Sequence, residues 1–262
     1  MHKKYVFLDS GIGGLPYFRS FHAKAPQSPA AYVADLEHFP YGEKTREEVI
    51  QYATGVVKKI IMRLQPEIII VVCNTISTAA LEELRRTFPL PFVGTVPAVK
   101  VAAEVSVNKR IGIIATARTI DDPYLDQLIH SFAADCTVEK RADAKLVAQI
   151  ENGLITASDA EKRQAIAPAI RQFNAAGVDT LVLACTHFLH LADTFAECAA
   201  PAIKVVDSLP GVVSHVLNVL PPAPDAEGHR SCCYVTGTIT EHIERLYRTY
   251  CTLFDLDWNG AL

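Results

Sequence analysis

EIIIVVCNTISTAAL, residues 67–81, decides the fold class of this chain, because a short apolar run passes directly into a helical pattern. Such a run predicts a strand buried on both faces, which is typical of parallel sheets covered by helices. Similar runs are YVFLD (5–9), AYVAD (31–35), PFVGTV (91–96), RIGIIAT (110–116), TLVLAC (180–185), KVVD (204–207) and CYVTG (233–237). We therefore predict an α/β fold with mainly parallel sheets.

Amphipathic stretches lie between these strands. The two longest are TREEVIQYATGVVKKIIMRL (45–64) and SDAEKRQAIAPAIRQFNAAG (158–177). Ser158 is a predicted N-cap with Glu161 three residues further on, and Gly177 is a predicted C-terminal stop. Pro168 is predicted to kink or divide this second helix.

The two halves of the sequence resemble each other. The first half contains DSGIGG, CNTISTAAL and GTVPAV after its strands, and the second contains ATARTI, CTHFLHLA and VDSLPGV. The repeat predicts two pseudo-symmetric doubly wound domains, residues 1–97 plus 210–262 and residues 98–209, with the active site in the cleft between them. The alternative is chance similarity, since strands of α/β proteins end alike. PPAPD (221–225) is a predicted linker, and the tail after it is expected to pack on the first domain.

The composition describes an ordered and mildly acidic protein. The 262 residues include 25 Lys and Arg against 29 Asp and Glu, a net charge of −4, and half of them are hydrophobic. A disordered chain would be poor in apolar residues, and a nucleic acid or an anionic membrane would favour a basic excess. We therefore expect neither a nucleic acid nor a membrane as a partner.

The sequence predicts a cytoplasmic protein. Its first apolar run stops at Asp9, which is too short for a secretory signal. No run approaches the ~20 apolar residues of a membrane span. The seven cysteines are an odd number without framework spacing, which indicates reduced thiols.

Two of the cysteines, Cys73 and Cys185, follow predicted strands directly and precede predicted helices. Ligands of open parallel sheets bind at this edge, and the positive end of a helix lowers the pKa of a thiol. Short hydrogen-bonding residues follow each cysteine and could hold a carboxylate: Asn74 and Thr75, Thr186 and His187. A single free cysteine is usually a core residue, but two in matched contexts indicate a shared function.

The spacing of these cysteines excludes some chemistries. The chain has no Cys-Xaa-Xaa-Cys pair of the kind that disulfide oxidoreductases use, and no short-spaced set of four ligands for zinc. We therefore expect no bound metal. Two bases suit the removal of a proton from one face of a stereocentre and its delivery to the other, with one thiolate and one thiol exchanging roles.

Ordered motifs resemble those of the glutamate racemases, within the aspartate/glutamate racemase superfamily, from about residue 5 to 210. They are LDSGIGG (8–14), FPYGEKT (39–45), VVCNTISTAAL (71–81), VGTVPAV (93–99), ATARTI (115–120), ENG (151–153), CTH (185–187) and VDS (206–208). The resemblance implies a cofactor-independent enzyme that interconverts L- and D-glutamate and supplies D-glutamate for bacterial peptidoglycan. We also expect a homodimer as one form of the protein.

The resemblance also assigns roles to residues. It implies that Cys73 takes the α-proton from D-glutamate and Cys185 takes it from L-glutamate. Asp9 and His187 match residues that assist the two thiols, and Glu151 and Asp35 match further candidate acids. The implied substrate-binding residues are Asp9, Ser10, Tyr41, Gly42, Asn74, Thr75, Thr186 and His187, with Thr116 and Thr119 as additions.

The chain departs from the family's pattern around its second cysteine. Ala184 replaces the usual glycine, and Phe188, Leu189 and His190 follow CTH where the family has Tyr-Pro. We expect these residues to change the geometry of the second half-site, the group of residues around Cys185. We also expect them to change the rate of L-to-D conversion relative to that of D-to-L conversion.

Two other functions remain open at this point. One is a related two-cysteine racemase or epimerase that acts on another acidic amino acid or derivative. The other is a non-catalytic member that kept the fold and binds a protein partner, although the presence of both cysteines, Asp9 and His187 argues against it.

Overall fold

The computed structural model describes residues 4–222 and 230–262. Two compact units make up the chain, one of Met1–Thr95 with Leu209–Leu262 and one of Val96–Ser208. The predicted linker at 221–225 lies partly outside the described residues.

Within the described residues, ten strands form two sheets. In chain order they are β1 (Tyr5–Asp9), β2 (Ala30–Ala34), β3 (Ile68–Val71), β4 (Phe92–Gly94), β5 (Arg110–Ala115), β6 (Thr137–Ala142), β7 (Thr180–Leu183), β8 (Lys204–Val206), β9 (Cys232–Val235) and β10 (Asp257–Ala261). The first unit has the order β10-β9-β2-β1-β3-β4, and the second has β6-β5-β7-β8. All the strand pairs are parallel. The predicted α/β class with parallel sheets is therefore confirmed, while the pseudo-symmetry and the cleft stay predictions.

Helices follow most of the strands. They are α1 (Leu15–Lys24), α2 (Arg46–Leu64), α3 (Asn74–Thr87), α4 (Val99–Val105), α5 (Ala117–Ile120), α6 (Pro123–Phe132), α7 (Ala144–Glu151), α8 (Asp159–Ala175), α9 (Ala192–Ala199), α10 (Leu209–Val219) and α11 (Glu241–Leu253). Short 3₁₀ helices span Leu36–His38, Tyr41–Glu43, Leu154–Thr156 and Thr186–Leu191. No helix within residues 4–222 and 230–262 is long and apolar enough to cross a bilayer.

The predicted ends of helix α8 are confirmed. Ser158 is its N-cap, and Ser158 and Glu161 form a reciprocal capping box. The helix ends at Ala175, and Gly177 follows with a φ of 66°, in the left-handed region that favours glycine. The helix runs through Pro168 without a break, so the predicted division at that residue is wrong. The helical turns on both sides of Pro168 are packed into the core, because Ile166 and Ala169 are buried there.

The described part of the tail after the predicted linker belongs to the first sheet. Strand β9 pairs with β2, and β10 pairs with β9 at the edge. This places the end of β9 next to the end of β2. Thr236, which follows β9, therefore joins the polar groups at the carboxyl edge of the sheet.

Sheet order brings the predicted site residues of each unit together. In the first sheet β1 lies between β2 and β3, so Asp9, Asp35 and Cys73 come from the carboxyl ends of neighbouring strands. In the second sheet β5 and β7 are neighbours, so Thr116 and Cys185 also follow the carboxyl ends of neighbouring strands. This edge of a parallel sheet is where ligands bind in open α/β proteins.

Candidate active site

The loop after β1 carries the polar groups next to Cys73. Asp9 is fully buried, and its Oδ1 accepts hydrogen bonds from the Gly11 N–H at 3.0 Å and from Ser10 Oγ at 3.2 Å. Ser10 Oγ lies 3.9 Å from Cys73 Sγ, within hydrogen-bond reach of a thiol. A buried carboxylate, a hydroxyl and a thiol thus lie in series at the end of β1 and β3.

Cys73 itself is the N-cap of helix α3. The first N–H groups of a helix have no acceptor within it and present partial positive charge. The side chains of Asn74 and Thr75 are buried in this first turn. Asn74 Oδ1 is buried and has no hydrogen-bond partner among the described residues. A buried acceptor of this kind is costly unless a ligand supplies the donor.

A second buried carboxylate organises the segment after β2. Asp35 accepts hydrogen bonds from His38 Nδ1 at 2.8 Å, from Tyr41 Oη at 2.5 Å and from Thr236 Oγ1. Burial, and then the charge of Asp35, raises the pKa of Tyr41 far above its ordinary value, so this hydroxyl stays protonated. Asp35 therefore fixes the short helical turn that carries Tyr41 and Gly42.

The structure also groups Asp35 with Glu37 and His38 closely enough to hold a cation. Two of the three are already engaged with each other, because His38 Nδ1 donates to Asp35. Glu37 is exposed and forms an ion pair with Lys59 at 3.0 Å. These contacts account for the cluster without a metal.

In the second unit, Cys185 belongs to a buried chain of three groups. His187 Nδ1 lies 3.9 Å from Cys185 Sγ, and His187 Nε2 lies 2.9 Å from Glu151 Oε2. An ionised carboxylate can only accept a hydrogen bond, so His187 Nε2 carries a proton and donates a hydrogen bond to Glu151. The last residue of α7 thereby fixes the orientation of the imidazole beside the thiol.

The charge of His187 follows from these neighbours. Burial alone would lower the pKa of His187, but hydrogen bonds and charges from Cys185 and Glu151 raise it well above the usual value. The imidazole therefore favours the cationic form, in which Nδ1–H points a donor at the sulfur. A cationic donor stabilises a thiolate.

Three buried threonines follow the neighbouring strands β5 and β7. Thr116 is the N-cap of α5, and its hydroxyl is 3.1 Å from Thr119 Oγ1 and accepts from the Thr119 N–H at 3.3 Å. Thr116, Thr119 and Thr186 are all buried. The structure thus brings Thr116 and Thr119 together on one short helix after β5.

The segment after Cys185 differs from the predicted helix. Thr186–Leu191 is a 3₁₀ helix, and an α-helix begins only at Ala192. Dipole stabilisation from an α-helix therefore applies to Cys73, whereas His187 supplies the positive charge next to Cys185. The residues that depart from the family pattern are packed: Ala184 lies in the core of the unit, and Phe188 is buried 6.4 Å from the ring of Phe195.

Sequence reasoning missed two residues of the first half-site, His38 and Thr236. Thr236 follows a strand whose neighbours in the sheet are not visible in the sequence. The signal in the sequence that could have identified Thr236 was its position as a short polar residue at the end of a strand. His38 lies three residues after Asp35, and its role depends on the 3₁₀ turn Leu36–His38.

Each of the two α/β units has a parallel sheet and a buried cysteine beside polar groups at a strand end, which is an arrangement suited to an enzyme. The sequence profile of the Asp/Glu/Hydantoin racemase family matches residues 17–216. The chain therefore belongs to this family and is an amino-acid racemase.

Relatives and solved structures extend this assignment. The chain is 42% identical to the glutamate racemase of Treponema pallidum (strain Nichols), over 99% of this chain and 96% of the relative. It is 31% identical to that of Shewanella loihica, over 94% and 92% of the two chains. The structure of Escherichia coli glutamate racemase in complex with L-glutamate and the activator UDP-MurNAc-ala is similar with a TM-score of 0.86 and 28% identity, covering 99% and 98% of the chains.

Proposed function

We propose that this racemase interconverts L- and D-glutamate without a cofactor, with Cys73 and Cys185 as the two acid–base groups on opposite faces of the α-carbon. The observation that carries the proposal is that each unit has a buried cysteine within hydrogen-bond reach of a side chain that is itself held by a buried carboxylate. Similarity to glutamate racemases supports glutamate as the substrate.

In the direction from D- to L-glutamate, the Cys73 thiolate removes the α-proton. The Cα–H bond breaks, an S–H bond forms, and the electron pair is left on the α-carbon and its carboxylate. The Cys185 thiol then donates its proton to the opposite face and becomes a thiolate. The reverse direction exchanges the two roles. Between turnovers in one direction, proton exchange with solvent returns Cys73 to the thiolate and Cys185 to the thiol, and no electron acceptor is needed.

His187 stabilises Cys185 when this cysteine is the thiolate. The protonated imidazole donates from Nδ1 towards the sulfur, while Glu151 holds Nε2. Asp9 and Ser10 assist Cys73 through the 3.9 Å contact between the hydroxyl and the thiol. Each thiol therefore has its own assisting groups, an imidazole for one and a hydroxyl with a carboxylate for the other.

The carbanion requires stabilisation that a pyridoxal cofactor would otherwise supply. The N-terminus of α3, with its partial positive charge, suits the substrate carboxylate. The buried Asn74 Oδ1 has no hydrogen-bond partner within residues 4–222 and 230–262 and suits the substrate ammonium group. The hydroxyls of Thr75, Thr116, Thr119 and Thr186 complete the proposed set of substrate contacts, together with the Tyr41–Gly42 turn.

We further infer that the enzyme works in the cytoplasm and supplies D-glutamate for peptidoglycan. The seven cysteines, all of which lie in the described part of the chain, form no disulfide, which is typical of a reducing compartment. The bacterial glutamate racemases among the relatives support the same role.

The test follows the circular dichroism of pure L- and D-glutamate with wild-type enzyme and single variants. Cys73→Ala and Cys185→Ala should each lose activity by about 10³-fold or more, because general acid–base catalysis contributes about 10²–10⁴-fold. Cys136→Ala, which changes a cysteine outside both half-sites, is the matched control and should keep full activity. Near-normal turnover in either of the first two variants would refute the two-base mechanism.

Two further measurements address substrate and cofactor. Aspartate and N-substituted glutamates should incorporate solvent deuterium at the α-carbon far more slowly than glutamate; faster exchange with one of them would reassign the substrate. Activity should survive exhaustive dialysis against a chelator and a carbonyl reagent. Loss of activity that pyridoxal phosphate or a divalent metal restores would contradict the cofactor-independent mechanism.

A further inference from the structure

Tyr32 is a fully buried residue in the middle of β2, and its hydroxyl reaches into the loop after β1. Tyr32 Oη donates a hydrogen bond to the Gly11 carbonyl at 2.7 Å and accepts one from the Gly14 N–H at 3.0 Å. One side-chain hydroxyl thus joins two backbone groups three residues apart. These two bonds constrain a loop whose glycines would otherwise give it wide conformational freedom.

Gly11 connects this hydroxyl to the reacting groups. Its carbonyl accepts from Tyr32, and its N–H donates to Asp9 Oδ1 at 3.0 Å. The same Asp9 oxygen accepts from Ser10 Oγ, which lies 3.9 Å from Cys73 Sγ. A displacement of Gly11 would therefore move the carboxylate and the hydroxyl that face the thiol.

The other end of the loop is held by packing. A methyl group added at Gly14 would lie 2.2 Å from Val72 Cγ2 and 3.1 Å from Asp9 Oδ2. Val72 immediately precedes Cys73, so the backbone of the loop rests on the segment that carries the thiol. The hydrogen bond from the Gly14 N–H to Tyr32 keeps the loop in this contact.

We propose that Tyr32 is a positioning residue for the Cys73 half of the racemisation. Its hydroxyl sets the distance from Asp9 and Ser10 to the Cys73 sulfur, and it does not touch the substrate. This inference rests on the proposed function, since it assigns Tyr32 to one of the two proton transfers. It predicts that loss of the hydroxyl slows proton transfer at Cys73 and leaves transfer at Cys185 unchanged.

Kinetic constants alone cannot assign an effect to one cysteine. The two enantiomers have equal free energies, so kcat/KM must be the same in both directions for every variant. Isotope effects do distinguish the two steps. The α-deuterium of D-glutamate is removed by Cys73 and that of L-glutamate by Cys185, and the slower transfer shows the larger effect on kcat/KM.

The experiment compares Tyr32→Phe with Tyr5→Phe. Tyr5 is also a fully buried tyrosine of this sheet, but its hydroxyl donates to the carbonyls of Leu220 and Pro221. Tyr32→Phe should lower kcat/KM by about tenfold, raise the isotope effect with α-deuterated D-glutamate and reduce that with α-deuterated L-glutamate. Tyr5→Phe should lower the midpoint of thermal unfolding without changing either isotope effect.

The outcomes separate this proposal from the two-base mechanism. If Cys73→Ala is inactive but Tyr32→Phe has wild-type isotope effects, Tyr32 has only a structural role and the proposal fails while the mechanism stands. If Cys73→Ala is active, the mechanism itself fails. Should Tyr32→Phe not fold, 3,5-difluorotyrosine at position 32 keeps the ring and changes the strength of both hydrogen bonds. Isotope effects that shift in opposite directions for the two enantiomers would then support the proposal, and unaltered values would overturn it.

Discussion

Glu151 Oε2 lies 2.9 Å from His187 Nε2, and both side chains are buried although 36 positions separate them in the chain. The contact joins the last residue of α7 to the 3₁₀ helix after Cys185. It fixes which imidazole nitrogen faces the thiol, and it contributes to the raised pKa of His187. In the proposed mechanism Glu151 thus acts on Cys185 through the imidazole, without contact to the substrate.

Replacement of Glu151 by Gln should slow the Cys185 half of the reaction. The amide keeps the shape and can still accept from Nε2, but it lacks the charge that raises the pKa of His187. One pKa unit corresponds to about a tenfold change in an equilibrium, so we expect kcat/KM to fall by about tenfold at neutral pH. The isotope effect should rise with α-deuterated L-glutamate and fall with the D-enantiomer, the opposite of Tyr32→Phe. Unchanged isotope effects would show that the carboxylate has no part in proton transfer.

The same contact predicts how stability depends on pH. His187 has a higher pKa in the folded protein than the ~6.5 of an unfolded chain. Its contribution to stability is therefore fully present below about pH 6.5 and is lost as the pH rises through the folded pKa. The midpoint of thermal unfolding should fall over this range in the wild type and fall less steeply in Glu151→Gln. The exposed Glu104→Gln is the control, and a slope that matches the wild type in both variants would contradict the assignment.

Much of the fold was predictable because most strands are apolar on both faces. Strand β3 is buried throughout, and its short length and β-branched residues favour a strand over a helix. The two strands that were not predicted lie at sheet edges. TVEKRA in β6 has no buried residue, and DWNGA in β10 contains Gly260 at a φ of 73° and an irregular register. An edge strand contacts fewer neighbours, so its sequence is less constrained to be apolar.

The site was predictable where its residues lie next to strand ends. Cys73 and Cys185 could be found because the chain enters a helix directly after them. The partners of these residues come from other elements, such as Thr236 beside Asp35. Tyr32 is indistinguishable in sequence from a core residue, because only the sheet order places its hydroxyl under the loop after β1.

Removal of the Asp35 charge should disturb the turn that carries Tyr41 and Gly42. The carboxylate accepts from His38, Tyr41 and Thr236, whereas the amide of Asp35→Asn has only one acceptor oxygen. Buried donors without partners cost about 1–3 kcal/mol. We expect the midpoint of thermal unfolding to fall by roughly 5 °C and the KM for glutamate to rise, with little change in the isotope effects.

Tyr41→Phe is the informative comparison for that variant. The Tyr41 hydroxyl donates to Asp35, so its hydrogen is not available to the substrate. The phenylalanine variant should therefore keep a KM close to that of the wild type. A KM in Tyr41→Phe as high as in Asp35→Asn would show that glutamate binding depends on the Tyr41 hydroxyl and not on the other two contacts of Asp35.

Replacement of Gly14 by Ala tests whether the loop after β1 must lie against Val72. The added methyl would overlap Val72 Cγ2 at 2.2 Å, and overpacking of this kind costs about 1–3 kcal/mol. We expect a lower midpoint of unfolding and a loss of kcat of at least about tenfold, because the loop that carries Asp9 and Ser10 must shift. In the double variant Gly14→Ala, Val72→Ala the smaller neighbour makes room, so kcat should recover beyond the value that independent effects predict. The matched control is Gly55→Ala, where a methyl meets nothing within 4 Å on helix α2. This control should stabilise the helix by about 0.5–1 kcal/mol and leave kcat unchanged, and the loop would not depend on close packing if Gly14→Ala behaved in the same way.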